Sequence, residues 1–316
     1  MRNGLRVLAL AALLAVGAAV AFVAPGASSP SCHAHHHTCT TSTTTATTST
    51  TTPSGGPCGT KVGQQPTTYS HVVWILFENH SYGQVIGSSS APYINNIAHE
   101  CGLATNYLAI THPSLPNYIA LTSGSTQGIT DDNPPWSHPL AAASIFSQTG
   151  TGWRSLEESM PSNCDLTNSG EYAVRHNPAA YYTGIRTACA TLDVPLASTP
   201  DLSARFTFVT PNLCNDMHDC SVAAGDSWLS TFLPKILSSS AYTAGGTAVF
   251  ITWDEDNGSS GNHVATLAIS PYTQPGATDG AGLNHYSLLR TTEDMLGLGC
   301  LANSCSASDF RAAFGL

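Results

Sequence analysis

Apolar residues cluster along this chain in short, nearly unbroken runs. His71–Phe77 reads HVVWILF and Phe206–Thr210 reads FTFVT, while residues 248–253 (AVFITW) and 263–270 (HVATLAIS) continue the series. Runs of this length without alternation predict strands covered on both faces. Between them the period changes. Over residues 227–238, Trp228, Leu229, Phe232, Leu233, Ile236 and Leu237 repeat at helical spacing behind Asp226, a candidate N-cap, and Pro234 marks a point of bending. His285–Leu296 is a second helix candidate, with Glu293 and Asp294 expected on a solvated face and Trp74 and Trp228 expected in the core. Strands alternating with helices predict an α/β fold, a three-layer sandwich with a largely parallel central sheet. No internal repeat interrupts it.

The N-terminal part follows a different pattern. Residues 7–23 are almost wholly Ala, Leu, Val and Phe behind Arg2 and Arg6, and small residues follow at 24–28. That arrangement is expected of a secretory signal over residues 1–28. The apolar run has 17 residues, the short edge of the roughly 17–25 that span a bilayer. An uncleaved anchor tethering the protein to the cell surface is the alternative. Residues 29–68 are dominated by Thr and Ser and read as an extended linker open to O-glycosylation. Within it, His33, His35, His36 and His37 lie between Cys32 and Cys39, a solvated patch more simply than a metal loop. Residues 69–316 then have the composition of one catalytic domain large enough to bury a core.

An exported chain with ten cysteines implies disulfides. Sequence-near couples are Cys32 with Cys39, Cys164 with Cys189, Cys214 with Cys220, and Cys300 with Cys305. Cys58 and Cys101 remain to join linker and domain, although spacing alone does not fix the connectivity. The formal net charge is −10, which argues against a nucleic-acid groove. It does not argue against phosphate chemistry, because a bound cation can reverse the local field.

Polar clusters follow directly after the predicted strands: Glu78-Asn79-His80, then Asn215-Asp216-Met217-His218-Asp219, then Asp254-Glu255-Asp256-Asn257. In open α/β sheets, ligand sites lie beyond the carboxyl ends of strands, so these clusters can converge. The segment Thr111-His112-Pro113-Ser114-Leu115-Pro116-Asn117-Tyr118 holds one hydroxyl between two prolines. Composition leaves it open whether this is a fixed nucleophile or a Pro-rich turn.

Five ordered blocks decide the matter by resemblance: Glu78-Asn79-His80-Ser81-Tyr82, His112 to Tyr118, Asn215 to Asp219, Trp253-Asp254-Glu255 and Asn284-His285-Tyr286. Together they resemble the bacterial phosphoesterase family of the alkaline phosphatase superfamily, which includes secreted acid phosphatases, phosphatidylinositol 3-phosphatases and phospholipases C. The resemblance implies an alkaline-phosphatase-like sheet and a metal-dependent phosphomonoesterase of acid-phosphatase type working through a phosphoserine. It makes Ser114 the nucleophile, with His112, His218 and His285 as active-site imidazoles. Asn117, His176 (within Arg175-His176-Asn177-Pro178) and Asp219 become substrate contacts. Glu78, Asn79, Ser114, Asp254 and Glu255 become metal ligands.

Oxygen ligands of this kind suit one hard divalent cation, Ca²⁺, Mg²⁺ or Mn²⁺, with Zn²⁺ also open. One metal is expected rather than two, because Asn79 is neutral and Glu255 stands where two-zinc members commonly carry His. His263 is a further ligand or a loop histidine. The implied partner is a phosphomonoester, with a phosphoinositide headgroup among the candidates; no nucleic acid and no membrane span after signal removal are expected. The oligomeric state is not readable from the sequence. Two rivals are a phospholipase C-type phosphodiesterase and a non-catalytic surface binding protein. A Ser-His-Asp esterase is disfavoured by the lack of a G-x-S-x-G elbow.

Overall fold

The structure, a computed structural model, describes residues 55–316. The expected export signal, Cys32, Cys39, the histidine tract and most of the Thr-rich linker lie outside the described residues.

Nine strands among the described residues build one sheet: β1 His71–Phe77, β2 Gly102–Leu108, β3 Trp153–Glu157, β4 Asp193–Pro195, β5 Phe206–Thr210, β6 Thr247–Trp253, β7 His263–Ile269, β8 Ala277–Asp279 and β9 Leu283–Asn284. Their order is β4-β3-β5-β1-β6-β7-β2-β8, with β9 also paired to β2. β1 runs parallel to both β5 and β6. β7 alone is reversed, antiparallel to β6 and to β2. Two reversals in succession return β2, and β9 beside it, to the direction of β1.

Side chains on a strand alternate between the two faces, and β1 shows what covers each face. Trp74 donates its indole N–H to Thr292 Oγ1 of the helix His285–Leu296 at 3.0 Å. Phe77, three residues on and so on the other face, meets Trp228 of the helix Val222–Leu237 edge-on, with centroids 6.1 Å apart. The helix Ser114–Ser123 packs with His285–Leu296, and Pro92–Glu100 packs with Val222–Leu237. The expected three-layer sandwich with a mostly parallel sheet is therefore present. Its central strands are buried along almost their entire length, as their unbroken apolar runs require.

Four disulfides close the described chain: Cys58–Cys101, Cys164–Cys189, Cys214–Cys220 and Cys300–Cys305, the expected couples. No helix among the described residues is long and apolar enough to cross a membrane.

Three expectations need correction. The helix predicted over 227–238 begins at Val222 and is preceded by Ser221, so Asp226 lies inside it. Buried there, Asp226 accepts from the backbone N–H groups of Tyr93 (3.2 Å) and Ile94 (2.8 Å), capping the neighbouring helix instead of its own. Glu293 does not face solvent: it is buried and accepts from Ser304 Oγ at 2.6 Å. Burial pushes its carboxyl up to about 7. The strands β2, β3, β4, β8 and β9 were not foreseen, being short or interrupted by polar residues such as Thr105, Asn106, Arg154 and Glu157.

Candidate active site

Because β1, β2, β5, β6 and β9 share one direction, the loops leaving their carboxyl ends meet on one rim. β1 delivers Glu78 and Asn79, β6 delivers Asp254 and Glu255, and β5 leads to the turn bearing Asp216 and His218. The loop after β2 delivers Ser114 at the first position of a helix whose ten residues are all buried, and β9 opens directly into His285.

Ser114 Oγ donates to Glu78 Oε2 at 3.0 Å. One turn further along the same helix, the Tyr118 hydroxyl donates to the other oxygen, Glu78 Oε1, so both oxygens of this carboxylate are oriented. Asn79 stands at φ 50°, a left-handed conformation that Asn tolerates better than most residues. Its backbone N–H donates to Asp254 Oδ1 at 3.3 Å. Asn79 Oδ1 and Asp254 Oδ2 are buried without a hydrogen-bond partner. Buried oxygens left in this way are costly unless something else satisfies them.

The electrostatics agree. Burial, reinforced by Asp254 and Asp216, holds the Glu78 carboxyl well above the usual range. Burial likewise pushes Asp254 and Asp216 up to about 7. For Glu255, burial and then the Asp254 charge push the carboxyl up to about 9. A site with this surplus of buried acid and two orphaned oxygens fits a hard divalent cation held by Glu78, Asn79, Asp254 and Ser114.

The imidazoles divide by environment. His285 is fully buried, donates from Nε2 to the Asp254 carbonyl at 2.6 Å and accepts at Nδ1 from the Tyr107 hydroxyl at 3.1 Å. Burial pulls it down to about 4. His112 is partly exposed, with Nδ1 2.9 Å from Glu255 Oε2 and Nε2 3.4 Å from Asp256 Oδ1. His218 is also partly exposed; its Nδ1 pairs with Asp219 at 2.6 Å and its Nε2 faces the Arg175 guanidinium at 3.1 Å.

His176 is buried and stacked on Tyr118 with centroids 5.3 Å apart. Its Nε2 is 3.3 Å from Glu78 Oε1, yet poorly aligned for a hydrogen bond. Its Nδ1 lies 3.2 Å from Asp216 Oδ2. Burial and then the Arg175 charge hold its pKa well below the usual histidine value. Glu78, His176 and His218 offer ligand atoms within 4.8 Å of one another, so they too could hold a metal.

Some expected residues turn elsewhere. The Asn117 amide accepts from the N–H groups of Ile110 and Thr111, both at 3.1 Å, and donates to Thr111 O, Pro113 O and Glu255 Oε2. Its polar atoms therefore tie the loop that carries Ser114 to itself and to Glu255. His263 stacks on Tyr82 and contacts the Thr105 carbonyl at 3.1 Å. Three further residues went unnoticed in the sequence. Tyr118 sits inside the quoted serine block and Arg175 immediately precedes His176. Asp132, which accepts from the Leu115 N–H at 2.9 Å, is announced only by the pair Asp131-Asp132.

A sequence profile described as the phosphoesterase family matches residues 88–299. A phosphatidylinositol-3-phosphatase from Mycobacterium tuberculosis is 35% identical, the alignment covering 73% of this chain and 78% of that protein. A phosphate-repressible acid phosphatase from Penicillium chrysogenum is 29% identical over 68% of this chain; the chain spans only 57% of that relative's length. Among solved structures, Ps i-CgsB superposes with a TM-score of 0.54 at 11% identity, covering 78% of this chain and 76% of that one. The lipoteichoic acid synthase LtaP from Listeria monocytogenes superposes at 0.52 and 10% identity, covering 74% and 73%. At such identities the superpositions speak for the fold alone. The profile match and the 35% relative establish that the chain belongs to the phosphoesterase family, and so to the hydrolases of phosphoric ester bonds.

Proposed function

We propose that this protein is an exported, metal-dependent phosphomonoesterase that works through a phosphorylated Ser114. The observation that carries the reading is Ser114 Oγ hydrogen-bonded to Glu78 beside the orphaned oxygens of Asn79 and Asp254. Phosphoryl transfer depends mainly on positioning and on neutralising charge at the phosphoryl oxygens. Glu78, Asn79, Asp254 and Ser114 would hold the cation, with Glu255 beside them. When bound, that cation lowers the proton affinity of the serine hydroxyl and balances charge on the phosphoryl group.

The chain's own residues do the rest. Glu78, fixed by Tyr118, aims Ser114 Oγ, and the helix N-terminus behind Ser114 favours negative charge there. Oγ gives its proton to Glu78 Oε2 as it attacks phosphorus, the bond to the substrate's alcohol oxygen breaks, and water later hydrolyses the phosphoserine and returns the serine hydroxyl. The departing alkoxide takes its proton from one of the two imidazoles that reach solvent, His112 or His218. His285, buried with both nitrogens occupied, holds Asp254 instead. Asn117 acts by closing the loop around Ser114, and His176 with Asp219 lines the phosphate side. A need for a protonated imidazole favours mildly acidic pH.

The names of two relatives support a phosphate monoester, with the 3-phosphate of phosphatidylinositol among the candidate substrates. The disulfides support an extracellular location.

The deciding measurement is p-nitrophenyl phosphate hydrolysis from pH 4 to 8, for the wild type and Ser114→Ala, with and without EDTA. Activity should peak below neutral pH, fall at least roughly a thousandfold in Ser114→Ala and drop on chelation. Full activity in Ser114→Ala would remove the nucleophile assignment.

A further inference from the structure

Three large hydrophobic side chains are exposed among the described residues: Val62, Leu108 and Trp136. Trp136, 65% exposed, is the one aromatic among them, and its loop is built onto the nucleophile's helix. Asp132 Oδ1 accepts from the N–H of Leu115, the residue after Ser114, at 2.9 Å. That bond anchors the carboxylate one residue from Ser114 along the helix. Four peptide steps separate Asp132 from Trp136, at most about 15 Å at 3.8 Å per step.

The segment between them is stiff. Pro134 and Pro135 fix two φ angles. Ser137 N–H donates to the Pro134 carbonyl at 2.8 Å, and Asn133 O accepts from the buried Tyr181 at 3.1 Å. Asp131 and His138 pair across the base of the loop. An indole held in water on so rigid a loop loses little conformational entropy when a ligand covers it, and its face is suited to stacking.

We propose that Trp136 forms one wall of a subsite for the organic half of the substrate, stacking its indole on a ring in the leaving alcohol. The proposal rests on the phosphomonoesterase reading and narrows the substrate class to monoesters whose alcohol carries a flat or ring-shaped face. Ser114 and its neighbours engage the phosphoryl group common to all monoesters, whereas Trp136 selects among alcohols.

The test compares kcat/KM for p-nitrophenyl phosphate with that for ethyl phosphate, which has no ring, in wild type, Trp136→Ala and Trp136→Phe, all saturated with divalent cation. The ratio should fall roughly three- to tenfold in Trp136→Ala, the range for loss of an aromatic stack, and stay near wild type in Trp136→Phe. An unchanged ratio in Trp136→Ala overturns the subsite, and so does an equal fall in Trp136→Phe. Tryptophan emission with phosphatidylcholine vesicles supplies the contrasting arm: a blue shift that Trp136→Ala abolishes, together with an unchanged ester ratio, assigns the indole to a bilayer and overturns the proposal. A wild type that hydrolyses neither ester removes the phosphomonoesterase reading and the subsite with it. A wild type that hydrolyses both while the ratio ignores residue 136 removes the subsite alone.

Discussion

At the residue scale, identical side chains carry different chemistry because their surroundings differ. His285 and His112 are both imidazoles beside the β6 carboxylates, yet burial pulls His285 down to about 4 and its nitrogens are taken by Asp254 O and Tyr107. It stays neutral at mildly acidic pH and has both nitrogens in hydrogen bonds away from solvent. His285→Gln should therefore weaken metal retention roughly 10- to 100-fold, the usual effect of removing a group that orients a ligand. The pH–rate profile at saturating metal should keep its shape. Metal titration and pH profiles on the same variant check this, and a displaced limb of the profile would make His285 the proton donor instead.

At the scale of elements, side chains of one helix complete another. Asp226, deep in Val222–Leu237, satisfies two N–H groups at the start of Pro92–Glu100. Those groups have no partner within their own helix. Asp226→Ala should cost about 1–2 kcal/mol, read from the urea midpoint, with activity per folded molecule intact. A midpoint within error of wild type would mean that water replaces the cap at no cost. Two glycines serve the same close joining of elements. Gly225 leaves room for Met217 beneath the Asp216–His218 turn, and Gly124, at φ 74°, ends the Ser114 helix against the Leu301 carbonyl. A Cβ at either would push into these neighbours.

At the scale of the whole molecule, the domain buries a surplus of acid. Asp216 and Asp254 are pushed up to about 7, Glu255 to about 9, and Glu293, far from them in sequence, to about 7. Each folded value exceeds the ordinary one near 4, so the stability these groups contribute is fully present below about pH 4. It is lost as pH rises through 7 and, for Glu255, towards 9. In EDTA the thermal midpoint should fall between pH 5 and pH 8. Added divalent cation should raise the midpoint more at pH 8 than at pH 5, because only ionised carboxylates bind it. Glu293→Gln should flatten part of the slope without changing metal response. A midpoint that stays level or rises with pH in EDTA would contradict this picture.

The central strands, the mostly parallel sheet and the clusters beginning at Glu78 and Asp254 were legible in the sequence, because a strand buried on both faces must be continuously apolar and its functional residues must follow its end. The Ser114 block, behind a strand that pattern did not reveal, was legible only through its resemblance to the phosphoesterase family. Three of the disulfide couples join partners near one another along the chain, whereas Cys58 and Cys101, 43 residues apart, were paired only as the two left over. Side-chain partners across elements were not. Asp226 reads as the cap of its own helix, and only the neighbouring helix shows whose N–H groups it meets. Glu293 reads as a polar face, and Ser304 with the C-terminal segment covers it. Asn117 stands, by the family resemblance, as a substrate contact, while its amide is hydrogen-bonded to the loop that carries Ser114 and to Glu255. The sequence by itself determined, through its apolar period, that the residues after β1, β5 and β6 reach the rim of the sheet, and through its resemblance to a family that Ser114 and His285 join them. Only the tertiary structure decided which of them face one another, because orientation and burial depend on elements far apart in sequence.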